Sequence, residues 1–154
     1  MGRTDDLDLK ILSELATDAS ISVPKLSKKI NVNASVVYSR IKRLSKRGLI
    51  RKFTIVINDE ALGFNVKALT GINMDSKLRA NVLNELFKIT EVREVSEVTG
   101  RFDVLVTMNA RSLDEMHQLI SEKIGHVEGV QKTETFIEMR KTAREIIYPP
   151  SISK

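Results

Sequence analysis

The sequence predicts an α+β protein in two parts, a small helical head followed by a βαββαβ body, and three observations carry that prediction. Apolar residues recur at helical spacing in three short segments before residue 50, with an asparagine turn ahead of the third. A strand, helix, strand order then occurs twice in series from Val66 to Met139. Charge changes sign between the parts: residues 1–52 carry 12 Lys or Arg against 5 Asp or Glu, whereas residues 53–154 carry 13 against 15. A basic head on a slightly acidic body is the pattern of an anion-binding module on a separate frame.

In the head, Thr4 followed by Asp5 and Asp6 reads as a helix start, with the Thr4 hydroxyl as N-cap and carboxylates against the positive end of the helix dipole. Leu7, Ile11, Leu12 and Leu15 form its apolar stripe. Ser22 is placed to cap a second helix with Pro24 in its first turn, where a missing N–H costs little, and Leu26 and Ile30 point inward. Asn31 tolerates the left-handed conformation a tight turn needs, and Asn33 is placed to cap a third helix. That helix, NASVVYSRIKRLSKR, contains no acid and ends at Gly48. Val37, Ile41 and Leu44 face the core, leaving Ser35, Tyr38, Ser39, Lys42 and Lys46 on the opposite side. Three short helices with a tight turn before the last match a helix-turn-helix, and Arg51 and Lys52 in the expected strand Leu49 to Asn58 resemble a basic wing. A plain trihelical bundle has the same apolar pattern; only the charge confined to the third helix separates the two.

In the body, Val66 to Met74 is a strand, and Asp75 or Ser76 caps a helix with Leu78, Val82, Leu83, Leu86 and Phe87 inward. Val92 to Thr99 is the second strand. The third spans Phe102 to Met108, with Phe102, Val104, Val106 and Met108 on one face. Ser112 and Glu115 have capping-box spacing before a helix lined by Leu113, Met116, Ile120 and Ile124, and Val130 to Met139 is the last long strand. Two βαβ units in series give a ferredoxin-like sheet with helices on one face. Its other face, with Leu105 and Thr107, is bare in a monomer, so pairing of subunits is expected to cover it. Thr142 to Tyr148 is read as a further strand before Pro149 and Pro150. The division drawn is residues 1–50 as the winged helix-turn-helix domain, 51–64 as strand and hinge, and 65–154 as the ferredoxin-like domain.

Other classes fall away on composition. No cysteine is present, so disulfides and thiolate metal sites are excluded, and His117 and His126 read as surface or cap residues rather than metal ligands. No apolar run reaches the roughly 18 residues of a membrane span and the first residues are polar and acidic, so a cytoplasmic protein with no membrane partner is expected. No nucleophile, base and orienting group occur at recognisable spacing, and no enzyme and no cofactor are expected.

Val98-Thr99-Gly100-Arg101-Phe102-Asp103 joins two strands. Taken by residues alone it is a tight hairpin whose Asp satisfies its own turn, or a loop whose backbone N–H groups approach a ligand through Gly100. The stretches LDLKILSEL, ASVVYSRIKRLSKRGLIRKF, EALGF, EVTGRFDVLV and HVEGVQKTETFI, in this order over nearly the whole chain, resemble the leucine-responsive and asparagine regulator (Lrp/AsnC, feast/famine) family. Two positions depart from the family pattern. Asn31 replaces a usual glycine in the turn, and Arg101 replaces a usual Asp or Glu after Gly100.

The resemblance implies a transcriptional regulator that binds double-stranded DNA, pairs into homodimers that assemble further to an octamer, and responds to an amino acid bound between dimers. Phosphate contacts are then expected from Arg40, Lys42, Arg43, Lys46, Arg47, Arg51 and Lys52, with Arg40 and Arg43 alternatively read as intramolecular salt-bridge partners, and base contacts from Ser35, Tyr38 and Ser39. The effector is expected at Val98, Thr99, Gly100, Arg101, Phe102 and Asp103. Asp103 serves as the ammonium acceptor, Thr133, Glu134 and Thr135 come from the last strand, and Gln118 comes from the second helix of the body. Arg101 beside Asp103 points to a polar zwitterion, glutamine or another polar amino acid. An architectural, chromatin-like DNA-binding protein without an effector is the alternative that shares the same head.

Overall fold

The computed structural model describes residues 4–144, which form two units, one within residues 4–56 and one over residues 57–141. In the first, α1 (Asp6–Thr17) begins one residue later than a Thr4 cap requires. Asp5 is the N-cap: its side chain accepts from the Asp8 N–H at 2.9 Å, and Asp8 accepts from the Asp5 N–H in return. The two aspartates thus form a reciprocal capping box. Helix α2 (Val23–Ile30) starts after Ser22, whose side chain makes no capping bond, and carries Pro24 in its first turn. Asn31 is left-handed (φ 55°) and Asn33 caps α3 (Ala34–Lys46), accepting from the Ser35 N–H at 2.9 Å. Ile11, Leu15, Leu26, Ile30, Val37 and Leu44 are buried where the three helices meet. Each such side chain contributes about 1.5–3 kcal/mol of transfer free energy against the entropy of ordering the chain.

The strand expected over Leu49 to Asn58 is not formed. Residues 51–58 have no regular secondary structure, and Phe53, Ile55, Val56 and Ile57 are exposed. The physical reason is that a strand exists only through hydrogen bonds to a neighbour, and the single chain supplies none here.

In the second unit, β1 (Val66–Met74), α4 (Arg79–Lys88), β2 (Val92–Glu97), β3 (Val104–Ala110), α5 (Leu113–Gln118) and β4 (Val130–Ile137) follow in order. The strands form one antiparallel sheet in the order β2-β3-β1-β4, with Thr70 opposite both Val106 and Thr135. Ala68, Ile72, Val104, Val106, Met108 and Ala110 pack on Val82, Leu86, Met116, Leu119 and Ile124 of the helical layer. Leu69, Gly71, Leu105, Thr107 and Phe136 share the other face through the same register.

Four details differ from the sequence expectation. Phe87 and Leu113 are 76% and 61% exposed instead of inward, because Val82, Leu86 and Met116 already complete the stripes that meet the sheet. Glu115 accepts from the Arg111 N–H at 2.5 Å rather than from Ser112, while Ser112 caps Glu115 as expected. The helix of α5 continues over Leu119–Ile124 with wider π turns, closed by the Gly125 N–H bonding to Ile120. Phe102 lies before β3 and not on the Val104 face. Its ring occupies the space where a Cβ on Gly71 would be, 2.5 Å away, on the opposite side of the sheet. Residues 142–144 carry no regular structure, and the rest of the strand expected from Thr142 to Tyr148 lies outside the described residues.

Candidate functional site

Helix α3 presents its side chains in three stripes. Val37, Ile41 and Leu44 face the core. Ser35, Tyr38, Ser39, Lys42 and Lys46 are exposed together on the far side, with Tyr38 59% exposed, and the Ser35 hydroxyl donates to Asn33 at 2.8 Å. Beyond the helix, Arg51 and Lys52 are also exposed.

In the third stripe, Arg40, Arg43 and Arg47, two members take the alternative of pairing within the head. Arg40 donates to Asp5 and, at 3.1 Å, to Asp8; Arg43 donates to both Asp8 oxygens at 2.9 and 2.8 Å. These arginines bind α1, so their charge is largely committed within the head rather than offered to an external anion. Asp8 is fully buried, whereas Arg40 and Arg43 remain 24% and 45% exposed at their side chains. The hydrogen bond from Arg40 holds the Asp5 carboxyl below its ordinary range, and Asp5 raises the Arg40 guanidinium in turn. Arg47 is half-buried. A signal for this arrangement existed: Asp8 sits on the same stripe as Ile11 and Leu15, and a carboxylate in a buried stripe requires a cationic partner.

In the body, the segment from Val98 to Asp103 is tied down at several atoms. The Val98 N–H bonds to the Asp103 carbonyl and the Asp103 N–H to that of Ile72, both at 3.0 Å. Asp103 Oδ2 accepts from the Met74 N–H at 2.9 Å, and Asn73 Nδ2 donates to the Arg101 carbonyl at 2.9 Å. Gly100 has φ +133°, which side chains rarely adopt, and Thr99 is exposed at the turn. Arg101 pairs with Glu134 at 2.6 Å and stacks over Phe102, 5.4 Å from the ring centre.

A concavity of about 100 Å³ opens beside this segment, lined by Met74, Ser76, Arg79, Val98 and Asp103. Arg79 Nε donates to Glu97 at 2.5 Å, a bond that holds the Glu97 carboxyl below its ordinary range and raises the arginine. Arg79 and Ser76 escaped the sequence reading because nothing local marks them; they arrive through the start of α4. Thr133 and Thr135 do share a face, but it is the helix-covered one opposite Ile72 and Thr70, and the Thr135 and Thr70 hydroxyls bond to each other at 2.8 Å. Gln118 is exposed at the end of α5 and does not line the concavity. Among the described residues no three His, Asp or Glu gather as a metal site, and no helix is long and apolar enough to cross a membrane.

The family model of the Lrp/AsnC ligand binding domain matches residues 67–146, and that of a winged helix-turn-helix DNA-binding domain matches residues 4–51. The HTH-type transcriptional regulator FL11 of Pyrococcus furiosus is 35% identical over 139 residues, covering 90% of this chain and 91% of that protein. The structure of E. coli AsnC superposes with a TM-score of 0.87 at 27% identity, covering 96% of this chain and 100% of that one. The feast or famine regulatory protein of M. tuberculosis, complexed with L-methionine, superposes with a TM-score of 0.85 at 26% identity, covering 94% and 99%.

Proposed function

The chain belongs to the Lrp/AsnC family of transcriptional regulators, and on that premise we propose that it reads double-stranded DNA with the exposed face of α3 and responds to an amino acid bound at residues 98–103. It is a regulator and not an enzyme. The observation that carries the DNA assignment is the division of charge on α3. Asp5 and Asp8 engage Arg40 and Arg43, while Lys42 and Lys46 stay exposed beside Ser35, Tyr38 and Ser39. Lys42, Lys46, Arg51 and Lys52 then supply phosphate contacts, and Ser35, Tyr38 and Ser39 supply base contacts. The head is residues 1–50, the hinge 51–64 and the effector and assembly domain 65–154. The protein acts in the cytoplasm of a prokaryotic cell, where its DNA lies. A mobility-shift titration on the promoter region of its own gene tests this. Binding that weakens steeply with salt is expected, and a folded protein that shifts no promoter fragment contradicts it.

For the effector, the supporting features are the Asp103 carboxylate at a concavity, the Gly100 turn beside it and the L-methionine complex of the M. tuberculosis relative. Glu134 neutralises Arg101, so the expectation of a polar side chain loses its basis. Methionine and glutamine both belong in a thermal-shift screen of the twenty amino acids. A specific shift by one of them supports the effector, and no shift by any favours the architectural alternative. The exposed apolar run Phe53 to Ile57 and the bare sheet face with Leu69 and Phe136 support homodimers, with further assembly to an octamer.

A further inference from the structure

The concavity beside Asp103 contains a cation with unused donors. Arg79, the first residue of α4, lines it, whereas Glu97, which accepts from Arg79 Nε at 2.5 Å, does not. A guanidinium carries five N–H donors. The bond to Glu97 occupies the Nε side and leaves the two terminal amino groups, a fork whose spacing matches a carboxylate through two parallel bonds. Asp103 is half engaged in a similar way. Its Oδ2 accepts from the Met74 N–H at 2.9 Å, leaving Oδ1 as an acceptor. A guanidinium and a carboxylate therefore border a space of about 100 Å³ whose other lining residues are Met74, Ser76 and Val98. That space suits the ammonium and carboxylate flanking one α-carbon, and it is too small to enclose a long side chain as well.

We infer that Arg79 receives the α-carboxylate of the effector while Asp103 takes its α-ammonium, with Glu97 as a positioning residue that fixes Arg79 from outside the concavity. This rests on the proposal that residues 98–103 form the effector site. It defines the ligand class as an α-amino acid with both α-groups free, its side chain directed out of the concavity. Esters, amides and decarboxylated amines of the same side chain are then poor ligands.

The test is calorimetric titration of the full chain with each of the twenty L-amino acids and with their α-carboxamides, which lack the carboxylate charge. The wild type is expected to bind one or more amino acids and to bind the matching amide at least tenfold more weakly. Arg79→Ala and Arg79→Lys should each weaken the acid at least tenfold, and Arg79→Ala should bring acid and amide to within about twofold of each other. A merely structural role would not erase that preference. Glu97→Gln should weaken the acid less than Arg79→Ala does. Unchanged binding in Arg79→Ala, with loss in Asp103→Asn, overturns the inference and leaves the effector site standing. Unchanged binding in both variants, or no binding of any amino acid to the wild type, overturns both. The melting temperature of each unliganded variant, unchanged for this exposed arginine, separates these results from misfolding.

Discussion

With Asp8 fully buried between Arg40 and Arg43, its replacement by alanine leaves Arg43 without its acceptor, leaves Arg40 with Asp5 alone, and removes half of the α1 capping box. Both arginines retain solvent, so the cost falls at the lower edge of the range for a broken buried pair, about 2–3 kcal/mol. Urea denaturation of Asp8→Ala against wild type measures it; a change below about 0.5 kcal/mol would show that the pair is dispensable. Asp5 gives a pH dependence. Its carboxyl is held below its unfolded value, chiefly by the hydrogen bond from Arg40, so its contribution is present above the ordinary carboxylate range and is lost as pH falls through the folded value. Melting of the head from pH 6 to pH 2 should therefore fall most steeply at and below the ordinary range, near pH 4. Asp5→Asn should lower the melting temperature at neutral pH and flatten that fall. An identical pH profile in the variant contradicts the assignment.

Among the elements, the helices of the head were readable because their caps and turn are local chemistry. Asn33, the left-handed Asn31 and Gly48 each act within a few residues of themselves. The four strands of the body were likewise readable from alternation, within about two residues at their ends. What escaped depends on partners distant in sequence. Arg40 and Arg43 could be read as salt-bridge partners, but not with which acids, because Asp5 and Asp8 lie more than thirty positions away. Phe102 was assigned to the wrong face because alternation was extended through a loop, and Gly71 gave no sign that it makes room for a ring. At the loop, Asp103 and Val98 do border a concavity, but Thr135 turned out to bond across the sheet to Thr70, a pairing that period-two patterning cannot reveal. The Gly71 contact predicts a measurable coupling. Gly71→Ala forces its methyl into the Phe102 ring and should cost about 1–3 kcal/mol, as overpacking does. In a Phe102→Ala background the same change should cost much less, and equal cost in both backgrounds would place the strain elsewhere.

At the scale of the whole molecule, two groups of exposed apolar side chains fall where one chain has unfinished structure. Phe53, Ile55, Val56 and Ile57 lie in a segment with strand-forming composition and no strand to pair with, and Leu69 and Phe136 lie on the uncovered face of the sheet. Pairing between copies would satisfy both and would double the number of reading helices on one DNA. Ile55→Lys together with Ile57→Lys should lower the sedimentation-determined mass, and an unchanged mass would exclude this segment from the interface. An effector could then alter the spacing of the reading helices only by binding one assembly more tightly than another.

Recognition by this protein requires α3 to offer one stripe to DNA while another is held by α1. The direct measurement is the salt dependence of binding to a promoter fragment for wild type and for Lys42→Ala with Lys46→Ala. Losing two phosphate contacts should make the slope of log K against log salt shallower by about 2. A slope unchanged in the double variant would contradict the assignment of this face to DNA.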